Sequence, residues 1–222
     1  MMTVQDLFDL EQTIGADLFH TCAYPWEVLP RIGEFLSALG NRLPEDYHLA
    51  GEQIWIADSA RVAQSASITG PCIIGRGAEI RHCAFIRGNA LVGDHAVVGN
   101  STELKNVILF NRVQVPHYNY VGDSILGYRA HMGAGSITSN VKSDKRLVEV
   151  RISEEERILT GLKKFGALIG DHVEIGCGCV LNPGTVIGRN SNIYPLSSVR
   201  GFVPGGSIYK RQGEVVVKFD LD

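Results

Sequence analysis

From Ile56 onward an aliphatic side chain returns at every sixth residue, in the series Ile56, Val62, Ile68, Ile74, Ile80, Ile86, Val92, Val98 and Leu104. A second series in the same period, Ala60, Ala66, Cys72, Ala78, Ala84, Ala90, Ala96 and Thr102, is small throughout. A helix repeats near 3.6 residues and a strand at 2, so neither alone accounts for a strict six. The pattern predicts a triangular solenoid, with a short strand and a tight corner per hexapeptide and three hexapeptides per coil. Each aliphatic then points into a narrow interior and stacks on its equivalent eighteen residues away, while the small residues occupy the cramped corners. Gly75, Gly93 and Gly99 directly follow an aliphatic, where the chain begins to turn. The fold expected is all-β, a left-handed parallel β-helix with a short N-terminal helical appendage.

The series resumes at Ile169, Ile175, Leu181, Ile187, Ile193 and Val199. Between the two blocks, 141–161 is rich in Lys, Arg and Glu and lacks the period. It reads as a loop inserted into the solenoid, either part of a binding face or simply a solvated surface. Residues 1–50 differ again: Val4, Leu7 and Phe8 suit one side of a short helix, and Ile32, Phe35, Leu36 and Leu39 recur at helical spacing before Gly40. Pro25 and Pro30 belong at or near the entrance of that second helix. Three segments are expected: a helical 1–50, a solenoid 51–204, and a tail 205–222 whose Val215, Val216 and Val217 form a strand covering an edge or meeting a neighbouring subunit.

Charge and composition narrow the partners. The chain has 24 acidic and 21 basic residues and no basic stripe, which argues against nucleic acid and against a polybasic membrane anchor. No apolar run reaches the length of a membrane-spanning helix, and no leader-like start is present, so a cytoplasmic location is expected. The five cysteines, Cys22, Cys72, Cys83, Cys177 and Cys179, follow no disulfide or zinc spacing and suit a reducing compartment, mostly as core or turn residues. A triangular solenoid leaves flat faces that closed oligomers shield; composition does not choose between a dimer and a trimer.

Candidate chemistry gathers in 101–140, where the simplest form of the repeat is broken. His117, Lys105 and Asn140 lie there. Histidine ionises nearer neutrality than other side chains, which makes His117 the natural proton-transfer group, although a lone histidine on a solenoid is more often structural or merely exposed. The stretches ELKN (103–106), PHYNYVGDS (116–124), GAGSITSN (133–140) and TGLKKFGALIGDHVEIG (160–176) carry more information together. Over roughly 75–200 the chain resembles the acetyltransferase domain that follows a nucleotidyltransferase domain in bifunctional sugar-1-phosphate enzymes, nearer the archaeal than the bacterial type.

That resemblance implies an acetyl-CoA-dependent N-acetyltransferase of an amino-sugar phosphate or nucleotide-linked amino sugar, working as a homotrimer without a metal. It implies His117 as the base on the substrate amine, Asn140 as a group orienting the amine or the thioester, and the Ala134 amide facing the developing oxyanion. Arg87, Lys105 and Tyr120 match positions that hold the sugar phosphate or its nucleotide. His131 stands where the bacterial relatives have asparagine, and Arg146 where the archaeal type has lysine; both are candidate substrate contacts. Coenzyme A is expected along the solenoid near an intersubunit groove, with 166–200, Lys163, Lys164, Lys210 and Arg211 as unranked contacts. Residues 1–50 are too short for the nucleotidyltransferase domain of these relatives, so pyrophosphorylase activity is not expected.

Two other readings remain open on sequence. One is a non-catalytic sugar-nucleotide sensor or a partner subunit of a separate nucleotidyltransferase. The other is a solenoid metalloenzyme of the carbonic-anhydrase type, which needs three converging imidazoles; the spacings among His82, His95, His117 and His131 do not follow the eighteen-residue coil.

Overall fold

A computed structural model describes residues 2–219. Short parallel strands wind as an all-β, left-handed parallel solenoid, with sheet neighbours that are successive coils rather than successive strands. Three interior columns carry the aliphatic series. One runs Ile56, Ile74, Val92, Leu109, Leu126, Ile169, Ile187 and Val203; a second contains Ile80, Val98, Val115, Met132, Ile175 and Ile193. The third contains Ile68, Ile86, Leu104, Val121, Thr138, Leu181 and Val199. Ala78, Ala84, Ala90, Ala96 and Thr102 are buried, as expected of crowded corners. Val62 is partly exposed because the first coil has no neighbour inside it.

The break expected in the simplest form of the repeat over 101–140 is a change of step. The coil continues through it, but Leu109 follows Leu104 by five residues, and Leu126 follows Val121 by five. At one corner the preceding coil turns through Gly88 and Asn89, both at positive φ; the next two coils turn through Asn106 (φ 55°) and Asp123 (φ 47°) alone. Asn and Asp tolerate the left-handed region better than other side chains, so one residue does the work of two. The glycines after the aliphatics answer to space rather than to turning. A Cβ on Gly99 would stand 1.5 Å from the Pro116 carbonyl oxygen of the next coil.

The true break is the insertion. Thr138 pairs with Leu181, 43 residues on, where a regular coil needs eighteen. The excursion contains an antiparallel hairpin, Glu149–Arg151 with Arg157–Leu159, held by buried Val148 and Val150.

The N-terminal segment covers one face. Its helix Val4–Leu7 is closed by a capping box between Thr3 and Asp6, and Pro25–Arg31 forms a 3-10 turn that leads into the helix Ile32–Gly40. Pro30 thus lies just before that helix, consistent with its missing N–H. Beneath this segment Ile73, Leu91, Ile108, Ile125, Leu168 and Val186 make an outward apolar column that is buried. Phe8 and Phe19 meet Phe110 at ring separations of 5.2 and 5.9 Å, and Asp9 donates its N–H to Asp171. Residues Tyr47–Gly51, which overlap the end of the stretch expected to be helical, form a strand antiparallel to Ile54–Ala57 at the first coil. At the far end Ser207–Arg211 continues the solenoid and Glu214–Val217 folds back on it. The last three residues of the expected tail, 220–222, lie outside the described residues.

Candidate active site

With one face covered, two remain open, and the edge they share carries His117. The strand Gln114–His117 ends there and Tyr120–Leu126 begins the next face. The His117 side chain is exposed, and among the described residues its ring has no hydrogen-bond partner. Its backbone is firmly held: the N–H donates to Asn119 Oδ1 (3.1 Å) and the carbonyl accepts the Gly135 N–H (3.0 Å). Buried Asn119 also donates to the carbonyls of Gly133 (2.9 Å) and Ser136 (3.1 Å), tying this turn to the turn of the coil above. That upper turn contains Ala134, whose carbonyl accepts the Gly178 N–H (2.9 Å) and whose own N–H finds no acceptor among the described residues. His117 and Ala134 therefore occupy adjacent coils of one edge, about 4.8 Å apart in backbone spacing.

The face after His117 holds Tyr120 beside Glu103, and Lys105 beside Gly122. Arg87 lies one coil below Lys105, on the same outward side. Both cations have a carboxylate neighbour: Arg87 Nη1 reaches Glu103 Oε1 at 2.7 Å, and Lys105 Nζ lies 3.8 Å from Asp123 Oδ2. Each pair leaves unspent donors that a phosphate can take. Burial, followed by the nearby charges of Asp123 and Glu103, pushes the Tyr120 phenol up, which keeps it a neutral donor.

Asp123 is a site group the sequence reading missed. Its side chain is nearly buried, accepts Asn106 Nδ2 at 2.9 Å through Oδ1, and accepts Asn140 Nδ2 through Oδ2. Asn106, Asp123 and Asn140 stack at seventeen-residue intervals, which is the shortened coil. Asn119 was missed as well. Its one sequence signal is its place beside the histidine in PHYN.

Two expected site residues stand apart within one chain. His131 lies on the other open face, next to Gln114, with Nδ1 2.8 Å from Glu174 Oε2. Arg112, Gln114, Arg129, His131 and Glu174 line a groove of about 390 Å³ there, and neither arginine has an acidic partner among the described residues. Arg146 is in the exposed start of the insertion, 3.8 Å from Asp144, and joins none of the other candidates. Among the described residues no group of three His, Cys, Asp or Glu side chains is placed to hold a metal ion, and no helix is long and apolar enough to cross a membrane.

A triangular solenoid wound from hexapeptide coils is the frame of the hexapeptide-repeat transferases. Residues 68–155 match the family described as the GMPPB C-terminal domain, and 166–201 match the bacterial transferase hexapeptide family. The chain is 30% identical over 235 residues to the bifunctional protein GlmU of Methanococcus maripaludis, covering 96% of this chain and 53% of that protein. It is 32% identical over 163 residues to the uncharacterized acetyltransferase YaiX of Escherichia coli O6:K15:H31, covering 73% and 70% respectively. A putative acetyltransferase from Bacillus cereus aligns at a TM-score of 0.41 and 21% identity, over 74% of this chain and 77% of that one. The chain belongs to the hexapeptide-repeat acetyltransferases related to the C-terminal domain of GlmU-type proteins. It spans about half the length of the GlmU relatives it matches.

Proposed function

We propose that this protein is an acetyl-CoA-dependent N-acetyltransferase acting on an amino-sugar phosphate or a nucleotide-linked amino sugar. The observation that carries this reading is the edge itself: an imidazole on His117 and an N–H on Ala134 that are unengaged among the described residues, one coil apart and beside a face bearing Tyr120, Lys105 and Arg87.

Acetyl-CoA, when bound, supplies a thioester carbonyl for the amine to attack. Its diphosphate suits the groove of Arg112 and Arg129, whose guanidinium donors have no acidic partner among the described residues. The substrate amine attacks in its unprotonated form, and the His117 ring accepts the proton that the attacking nitrogen sheds as the carbon–nitrogen bond forms. Ala134 N–H donates to the oxygen that gains charge during attack; a fixed peptide dipole does so without reorganising. As the carbon–sulfur bond breaks, His117 returns the proton to the departing thiolate, so atoms and charges balance. Arg87 and Lys105 hold the phosphate and Tyr120 donates a neutral hydroxyl, bringing the amine to the edge.

A homotrimer completes the proposal. Leu196 is 85% exposed at a left-handed φ of 58°, beside exposed Tyr194 and on the same edge as Tyr118. Bulky apolar side chains in that state suit burial by a neighbouring chain, which would also bring a second copy's groove and Arg146 to the His117 edge. Thiol release from acetyl-CoA, measured across glucosamine-1-phosphate, galactosamine-1-phosphate and UDP-linked amino sugars, tests the reaction. Turnover with one of them supports it; none above background overturns it. Saturable sugar-nucleotide binding without acetyl-CoA binding would favour a sensor instead. Light scattering coupled to gel filtration tests the trimer.

A further inference from the structure

The three stacked polar side chains at the shortened corner do more than hold the turn. A carboxylate can only accept, so Asp123 fixes both neighbouring amides with their nitrogens toward it: Asn106 Nδ2 on Oδ1 at 2.9 Å and Asn140 Nδ2 on Oδ2. Asn106 is fixed from its other side too, since its Nδ2 also donates to the Leu29 carbonyl (3.1 Å) of the N-terminal segment. Asn140 then has its nitrogen turned toward Asp123, with its second N–H left for the neighbouring Tyr120 oxygen, and its Oδ1 has no protein donor among the described residues. An all-asparagine ladder would not impose that choice, because an amide donates and accepts equally well in either orientation. The same Asp123 Oδ2 lies 3.8 Å from Lys105 Nζ, so one buried carboxylate bears on two groups of the open face.

We propose that Asp123 is a positioning residue: by accepting from Asn106 and Asn140 it turns the Asn140 amide oxygen outward as an acceptor for the substrate amine, and it steadies Lys105. This rests on the acetyltransferase reading above. It decides between the two roles the resemblance leaves to Asn140: an outward amide oxygen receives an N–H of the amine and aims its lone pair, but cannot donate to the thioester oxygen.

Asp123→Asn tests the inference, because the isosteric amide can still stack in the corner. Relative to wild type, kcat falls about 10- to 100-fold through lost orientation, while KM for acetyl-CoA and the melting temperature barely move. The exchanged pair D123N/N140D keeps one carboxylate and two amides in the column and restores an outward acceptor at 140; it recovers a substantial part of the lost kcat. Independently of turnover, NMR hydrogen exchange of the Asn140 side-chain amide is slow in wild type and fast in D123N. Undiminished kcat in D123N, or a loss that merely tracks the folded fraction with no recovery in the exchanged pair, overturns the proposal. Should D123N not fold, the exchanged pair alone decides, since a kcat as low as that of N140A refutes an acceptor role. Absence of wild-type turnover with every sugar refutes the acetyltransferase reading itself, a separate result.

Discussion

Tyr120 lies along its own strand because Gly122 leaves it the room: a Cβ on Gly122 would stand 2.6 Å from the Tyr120 hydroxyl and 3.0 Å from Asn140 Nδ2. The Gly122 backbone is not in the left-handed region, so alanine there costs little in backbone strain. The expected effect of Gly122→Ala is displacement of the phenol and the amide together, with kcat/KM down about tenfold or more. Steady-state kinetics beside a thermal melt check it; a drop in melting temperature equal to the loss of activity would point to misfolding instead.

His117→Ala removes the proposed base, an exposed ring that no side chain or backbone group holds among the described residues. Removing a positioned acid–base group costs about 10²- to 10⁴-fold in rate. Stability and oligomeric state should be unchanged, as measured by melting and light scattering.

Arg112 and Arg129 share the groove beside His131. If they meet the phosphates of the acyl donor, R112A/R129A raises KM for acetyl-CoA and leaves KM for the sugar alone. Titrating salt against wild-type KM should weaken donor binding in the same direction, since exposed charge contacts are screened.

Phe110 is the anchor on which Phe8 and Phe19 dock the N-terminal segment. Truncating a buried phenylalanine to alanine costs about 3–5 kcal/mol. Phe110→Ala should lower the melting temperature and open 1–45 to limited proteolysis before the solenoid is cut.

Tyr47 tests a charge effect at the first coil. Its hydroxyl is buried without a partner among the described residues, and burial pushes its ionisation up to about 12. Between an ordinary tyrosine value and about 12 the unfolded chain has released this proton while the folded one keeps it, so stability falls as pH rises through that window. Tyr47→Phe removes an unsatisfied group and should stabilise by about 1 kcal/mol at neutral pH. Melts of both proteins from pH 8 to 11 should show the wild type losing more.

The solenoid was legible from Ile56 to Leu104 because one side chain in six must fill a narrow interior. It became illegible where Lys105–Asn106 and Gly122–Asp123 each turn a corner with one residue fewer, since a phase of five breaks a search for six. The site followed the same division. His117, Lys105 and Tyr120 stand out by residue type and local motif, and the coil brings them to one edge and its adjoining face. Asp123 and Asn119 act through partners seventeen and fourteen residues away, so their roles show only once the coil length is known. Which face the N-terminal segment covers was hidden for another reason: Ile73, Leu91 and Ile108 alternate with the interior series and look like extra core.

The hairpin between Thr138 and Leu181 departs from the solenoid and comes back to the next coil in register. Such an excursion is a parenthesis: the coil on either side is already continuous through the Ile137–Val180 and Thr138–Leu181 pairs. Its length and charge can therefore change from one relative to another without resetting the edge that carries His117, leaving evolution, or a protein engineer, a socket for a new recognition loop beside an unaltered frame.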